Sequence, residues 1–185
     1  MEYLKPLIDH GHSHFGENKV QEAEEKWTEI KKENLNLKIH MIGKLQSNKA
    51  KKAVQLFDFI HSLDSKKLAD ALKKRETELN KKLSYFIQIN IAGETQKSGI
   101  SPDTAKGFLE YCKREANLNI IGLMVIPPND KNIETYFKKI SQLNSELGLN
   151  HLSMGMSADY QIAVKLNSTF LRIGSGILGE RNINK

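Results

Sequence analysis

Two short segments near the C-terminus join glycine to hydroxyl residues in a way that could bind a ligand through the backbone. They are Gly155-Met156-Ser157-Ala158-Asp159 and Gly174-Ser175-Gly176. Each follows a short apolar run that reads as a β-strand, residues 150–154 and 169–173. Glycine permits close backbone approach and dihedrals closed to other residues. Exposed amide N–H groups at such turns, with a helix start behind them, attract phosphate. The spacing therefore points to a phosphate cup built from Ser157, Gly174 and Ser175; the alternative is a pair of ordinary tight turns. Arg172 lies inside the last strand pattern. Turned into a strand-lined cavity it must be paired, and there it would pin an anion or a ring nitrogen. Turned outward, it would lay its stem along a helix.

Other strand ends carry further candidates. Asn18 follows Gly16, and Asn48 closes the loop Gly43-Lys44-Leu45-Gln46-Ser47-Asn48. Both are candidate ligand contacts, with helix N-capping as the other role. His40 and His61 fall within or at the end of strands and read as hydrogen-bonded interior imidazoles. The group His10, His12 and His14 lacks the rigid spacing of a metal cage, and no metal site is expected. No HExxH, GxxxxGK[ST] or GxSxG motif occurs. Cys112 reads as a small core residue. Met124, Met154 and Met156, near strand ends, read as core filling.

These residues must be positioned by a repeating unit: a short apolar run, then a stretch with helical period. The runs lie near residues 11–16, 37–43, 56–61, 83–91, 118–126, 150–154 and 169–173. Between them, Val20, Ala23, Trp27 and Ile30 are spaced for one buried helix face, as are Leu68, Leu72 and Leu79. Asp64 or Ser65 can cap the second of these helices. Ser101-Pro102 opens a helix, and Gly148 closes another. With no wide linker, residues 1–185 read as a single domain. About seven βα units in regular succession predict an α/β fold of (β/α)8 TIM-barrel type rather than an open doubly wound sheet. A full barrel needs eight strands and about 250 residues.

The 185 residues carry 28 basic and 22 acidic side chains, a net charge of +6. The lysines are scattered over amphipathic helices without alternating aromatic residues, so solvated helix faces are expected and nucleic-acid binding is not. The apolar runs are too short to span a bilayer. A lone cysteine and no signal-like start predict a cytoplasmic protein, monomeric or weakly homo-oligomeric.

An ordered series of motifs carries a family resemblance. It runs His14-Phe15-Gly16-Glu17-Asn18, then His40-Met41-Ile42-Gly43-Lys44-Leu45-Gln46-Ser47-Asn48-Lys49, then Asn90-Ile91 with Lys97-Ser98-Gly99. Gly122-Leu123-Met124, Leu152-Ser153-Met154-Gly155-Met156-Ser157, Arg172-Ile173-Gly174-Ser175 and Gly179-Glu180-Arg181 complete it. The set resembles the pyridoxal phosphate homeostasis protein family, which is related in fold to the barrel domain of alanine racemase. The resemblance implies a barrel domain that binds pyridoxal 5′-phosphate (PLP), without catalytic turnover, in vitamin B6 balance. It implies that Ser157, Gly174 and Ser175 hold the phosphate and that Arg172 lies at the pyridine nitrogen. In that family a lysine on a strand ahead of Phe-Gly-Glu-Asn holds the cofactor covalently. That strand and lysine have no counterpart here, so a seven-unit, N-terminally shortened barrel and non-covalent or weak PLP binding are expected. Lys44 stands where the family commonly has proline; as a substitute anchor it is weaker than the reading of a solvated loop lysine. A PLP-dependent racemase-like enzyme on the same fold is the alternative function, with a basic nucleic-acid-binding protein the weaker third.

Overall fold

Seven strands, each carried back to the same end of the sheet by a helix or loop, pair in parallel and in sequential order. The computed structural model describes residues 3–94, 96–128 and 130–179. After helix α1 (Lys5–Asp9) come β1 (His14–Glu17), α2 (Val20–Glu33), β2 (Lys38–Met41), α3 (Ala50–Leu56), β3 (Phe59–Leu63) and α4 (Lys66–Leu79). They are followed by β4 (Ser84–Ile89), α5 (Ala105–Arg114), β5 (Asn119–Val125), α6 (Ile133–Glu146) and β6 (His151–Met156). The described chain ends with α7 (Tyr160–Lys165), β7 (Phe170–Arg172) and α8 (Ser175–Leu178). The sheet curls into a nearly closed barrel of the expected type. Among the described residues β1 and β7 are its two unjoined margins. Their inward side chains nevertheless approach, with the His14 and Phe170 ring centroids 6.3 Å apart.

Strand alternation decides which side chains meet the helices. In β1, Phe15 and Glu17 are buried against α2, while His14 and Gly16 take the other face. Trp27 of α2 packs on Phe15 and donates its indole N–H to Glu17 Oε1 at 2.7 Å. Lys26 reaches the same oxygen at 2.7 Å, so this buried carboxylate is paired rather than stranded. The α4 helix begins at Ser65, whose hydroxyl accepts from Leu68 N, and stops at Asn80 in the left-handed region. Its buried Glu76 accepts from Leu83 N and from the Tyr85 hydroxyl, tying the helix to β4. Gly148, with φ of +64°, follows α6 as expected. Cys112 is buried in α5, its thiol pushed up to about 12 by burial, as suits a core residue. Met124 and Met154 are also buried; Met156, expected inside, is exposed, because its place at the end of β6 lies at the rim.

Several lysines do structural work. Lys81 donates to Gln55 O and Phe57 O at the end of α3, Lys73 to Glu115 O, Lys82 to Asn117 O, and Lys31 to Leu56 O and Asp58. Carbonyls at helix ends lack intrahelical partners, and a nearby ammonium satisfies them.

Rings and polar groups, rather than aliphatic side chains alone, fill the barrel interior. His40 stacks on Phe59 with centroids 4.3 Å apart, and His61 stacks on Phe86 at 4.3 Å. Phe170 reaches across to both histidines. The imidazoles are chained: His14 Nδ1 to His40 Nε2 at 2.9 Å, and His40 Nδ1 to His61 Nε2 at 2.9 Å. His61 Nδ1 then meets Ser153 Oγ at 2.8 Å. The interior is tight enough at Gly122 that an added Cβ would fall 2.0 Å from His151 O and 2.9 Å from the Phe86 ring.

Two outcomes are expected. Gly122→Ala forces β5 and β6 apart and costs about 1–3 kcal/mol, measured as a lower urea midpoint at constant slope. Acid destabilises the fold well above the carboxylate range. Burial lowers the pKa of His61 strongly and that of His40 to about 3. The unfolded chain therefore binds more protons than the folded one below about pH 6.5. Stability is full above that pH and falls as pH drops toward the folded values, by up to about 1.4 kcal/mol per pH unit for each ring. Urea titrations at pH 7.5 and 5.5 read the difference.

Candidate functional site

Ser157 stands just beyond β6, and Gly174 and Gly176 flank the turn after β7. The two turns converge. Ser157 Oγ accepts from Gly176 N at 3.1 Å and lies 3.4 Å from Gly174 N. Two backbone N–H groups thus aim at one oxygen, the arrangement that binds an anion. The structure brings together Ser157 and Gly174 as expected, and it brings Gly176 N, rather than the amide of Ser175, to the Ser157 hydroxyl; Ser175 opens α8 directly between them.

The bend at Ser157 is built locally. Gly155 has φ of +94°, and a Cβ there would meet the Ala163 methyl at 2.6 Å, so only glycine fits under α7. Asp159, nearly buried, accepts from Met156 N at 2.6 Å and fixes the chain as it turns into α7. Ser168 donates to Met154 O at 2.7 Å, and Thr169 Oγ1 accepts from Leu152 N at 2.8 Å. These bonds hold the loop before β7 against β6.

Arg172 points inward, not along a helix. Its Nη1 donates to Ser153 Oγ at 2.7 Å and its Nη2 to Val125 O at 2.8 Å. Burial pulls the guanidinium down to about 10, against the pull of Asp159, so it stays charged at neutral pH. Arginine has no acceptor and more N–H groups than these two bonds use. A ligand acceptor beside it would complete the set. A guanidinium with donors to spare, one turn from two convergent amides, fits a molecule that carries both a phosphate and a ring acceptor.

The remaining expected contacts lie on the same end of the barrel but farther round the rim. Asn18 follows β1 and is exposed, and neither it nor Asn48 caps a helix through its side chain: Lys19 and Gln46 occupy the cap positions before α2 and the short turn at Ser47–Lys49. The loops after β1 and β2 touch at Gly43, where a Cβ would sit 2.2 Å from Asn18 O. Lys44 lines a cleft of about 440 Å³ with Ser47, Asp64, Ser65, Lys97 and Ser98. Burial raises the Asp64 carboxyl, and Lys44 draws it back. None of Ser157, Arg172 and Gly174 lines this cleft. Gly99, at φ of +129°, lets the β4 loop fold back so that Ile100 pairs with Gln88 and Asn90. Among the described residues no histidine, cysteine and carboxylate group is disposed to hold a metal. Residues 180 and 181 of the last motif lie outside the described residues.

Ser153 and its histidine partners were not singled out as site residues by the sequence. The signal was present: within β6, His151 and Ser153 are polar residues two apart in an apolar strand, hence on one inward face.

Comparison with known proteins bears on the family and the fold. The family model for the alanine racemase N-terminal domain matches residues 1–182. The pyridoxal phosphate homeostasis protein of Aquifex aeolicus is 39% identical, over 97% of this chain and 82% of that protein. The structure of PipY from Synechococcus elongatus without PLP superposes with a TM-score of 0.89 at 35% identity, covering 96% of this chain and 87% of that one. The same protein with PLP bound gives a TM-score of 0.86 at 34% identity, with the same coverage. No helix among the described residues is long and apolar enough to cross a membrane. Fold, motif order and these relatives together make the chain a member of the alanine racemase N-terminal domain family, within the branch of the pyridoxal phosphate homeostasis proteins.

Proposed function

We propose that this chain acts as one unit that binds PLP reversibly and serves intracellular vitamin B6 balance without turning a substrate over. The observation that carries this is the pair of amides, Gly174 and Gly176, that converge on the Ser157 hydroxyl oxygen and so bring the turns after β6 and β7 to one point. In this reading the Ser157 hydroxyl and the backbone of residues 174–176 hold the phosphate, and Arg172 faces the pyridine nitrogen. Asn18 and Asn48 would contact the ligand from farther round the same rim. PLP supplies a reactive aldehyde and an electron-accepting ring. The chain's own part is to bind, orient and shelter it.

The structure of PipY with PLP bound supports the choice of ligand. Turnover would need proton-transferring residues on both faces of a substrate. The groups nearest Arg172 are a serine hydroxyl and a backbone carbonyl, which supports a binding role over a racemase. The basic charge does not favour nucleic acid, because lysines 31, 73, 81 and 82 are engaged with backbone carbonyls. The single buried thiol suits a cytoplasmic setting, and a monomer or weak homo-oligomer is sufficient for this role.

Equilibrium dialysis of the 185-residue chain against PLP should show saturable binding. Borohydride treatment should leave no stable adduct, and the loaded protein should racemise neither enantiomer of alanine. Absence of PLP binding overturns the reading; a reduced adduct on Lys44 overturns the non-covalent part. Ser157→Ala removes one hydroxyl worth about 1 kcal/mol and should weaken PLP and inorganic phosphate together, by about fivefold, measured by calorimetry.

A further inference from the structure

We infer that Ser153, His61, His40 and His14 form a one-directional hydrogen-bond column that positions the Arg172 guanidinium for a ring acceptor on the bound ligand. The inference deepens the proposed PLP site and rests on Arg172 facing the ring.

The direction follows from Arg172, which can only donate. Its Nη1 donates to Ser153 Oγ, a fully buried hydroxyl whose other neighbour is His61 Nδ1. If His61 Nδ1 also donated to Ser153, the serine hydrogen would have no acceptor among the described residues. A buried donor without a partner is strongly disfavoured. Ser153 therefore donates to His61 Nδ1. A neutral imidazole that accepts at Nδ1 carries its hydrogen on Nε2. His61 Nε2 then donates to His40 Nδ1, and His40 Nε2 donates to His14 Nδ1. His14 is exposed, and its remaining N–H completes the column at the far end of the barrel from Arg172.

Neutrality is consistent with the surroundings. Burial lowers the pKa of all three rings, and each charged ring would repel the next. The ring planes are held independently: His40 lies on Phe59 at an interplanar angle of 4°, and His61 lies on Phe86 at 24°. Stacking thus fixes the planes in which the ring nitrogens lie, and the order of donors is set by which nitrogen carries the hydrogen. The column leaves both lone pairs of Ser153 Oγ available toward Arg172 and holds the hydroxyl hydrogen away from it. The guanidinium is thereby anchored on one side by Ser153 and Val125, with its other N–H groups left for a ligand. Ser153, His61 and His40 are positioning residues in this scheme, since none need touch the ligand.

Long-range proton–nitrogen correlation spectra of the whole chain, labelled with nitrogen-15 in histidine, test the column without any ligand. At pH 7, His14, His40 and His61 should all appear as neutral rings protonated at Nε2. A ring protonated at Nδ1, or an imidazolium at His40 or His61, overturns the inference. Ser153→Ala then separates positioning from bulk stability. It should shift His61 away from a single tautomer and raise the PLP dissociation constant about tenfold, while inorganic phosphate binds as before. Equal losses for PLP and phosphate, or no loss for PLP, overturn the positioning role. Should wild-type PLP binding itself be absent, the ligand reading fails, and the tautomer spectra still decide the column.

Discussion

A charged guanidinium in the interior must be paired where solvent does not reach it, and much of this barrel is arranged around that requirement. Arg172 is the last residue of a three-residue strand. Its two bonds go to β6 and to the end of β5, so the charge also fastens β7 to its neighbours. Ser153, the acceptor, is in turn held by an imidazole whose partners cross the barrel to β1. The interior into which Arg172 points is therefore continuous with the core. Aromatic stacking there does what branched aliphatic layers do in other barrels: it fills the volume while fixing polar groups at defined angles.

The seven strands were legible because each is a short apolar run followed by a helical period, and parallel βα units leave that trace. Turn chemistry was legible too, at Ser65 and Gly148, because capping and left-handed backbone need particular residue types, whereas the left-handed Asn80 was not singled out. The barrel rather than an open sheet followed from regular succession. The convergence of Ser157 with the turn after β7 was foreseen from strand-end placement, but the choice of Gly176 over Ser175 was not. Which amide faces inward depends on the dihedrals of the turn, and glycine on both sides leaves these open to sequence reading.

The histidine column was the least legible feature. His40 and His61 were read as interior rings, yet His14 was read with a terminal histidine group. Their union depends on the register that sets Gly16 beside His40 and His40 beside Phe59. Register between parallel strands is a tertiary property, fixed by helices and loops far away in sequence. The basic composition misled less than it might have, because carbonyls at helix ends attract lysine for local reasons that have nothing to do with a partner's charge.

The contact at Gly43 has a mechanical corollary. With no side chain there, the segment leaving β2 rests directly on the peptide of Asn18. At that point the two neighbouring rim segments meet backbone to backbone, with the Ile42 side chain packed against Gly16 beside them. Neither peptide can shift there without pressing on the other, so that side of the mouth is a single stiff lip rather than two independent flaps.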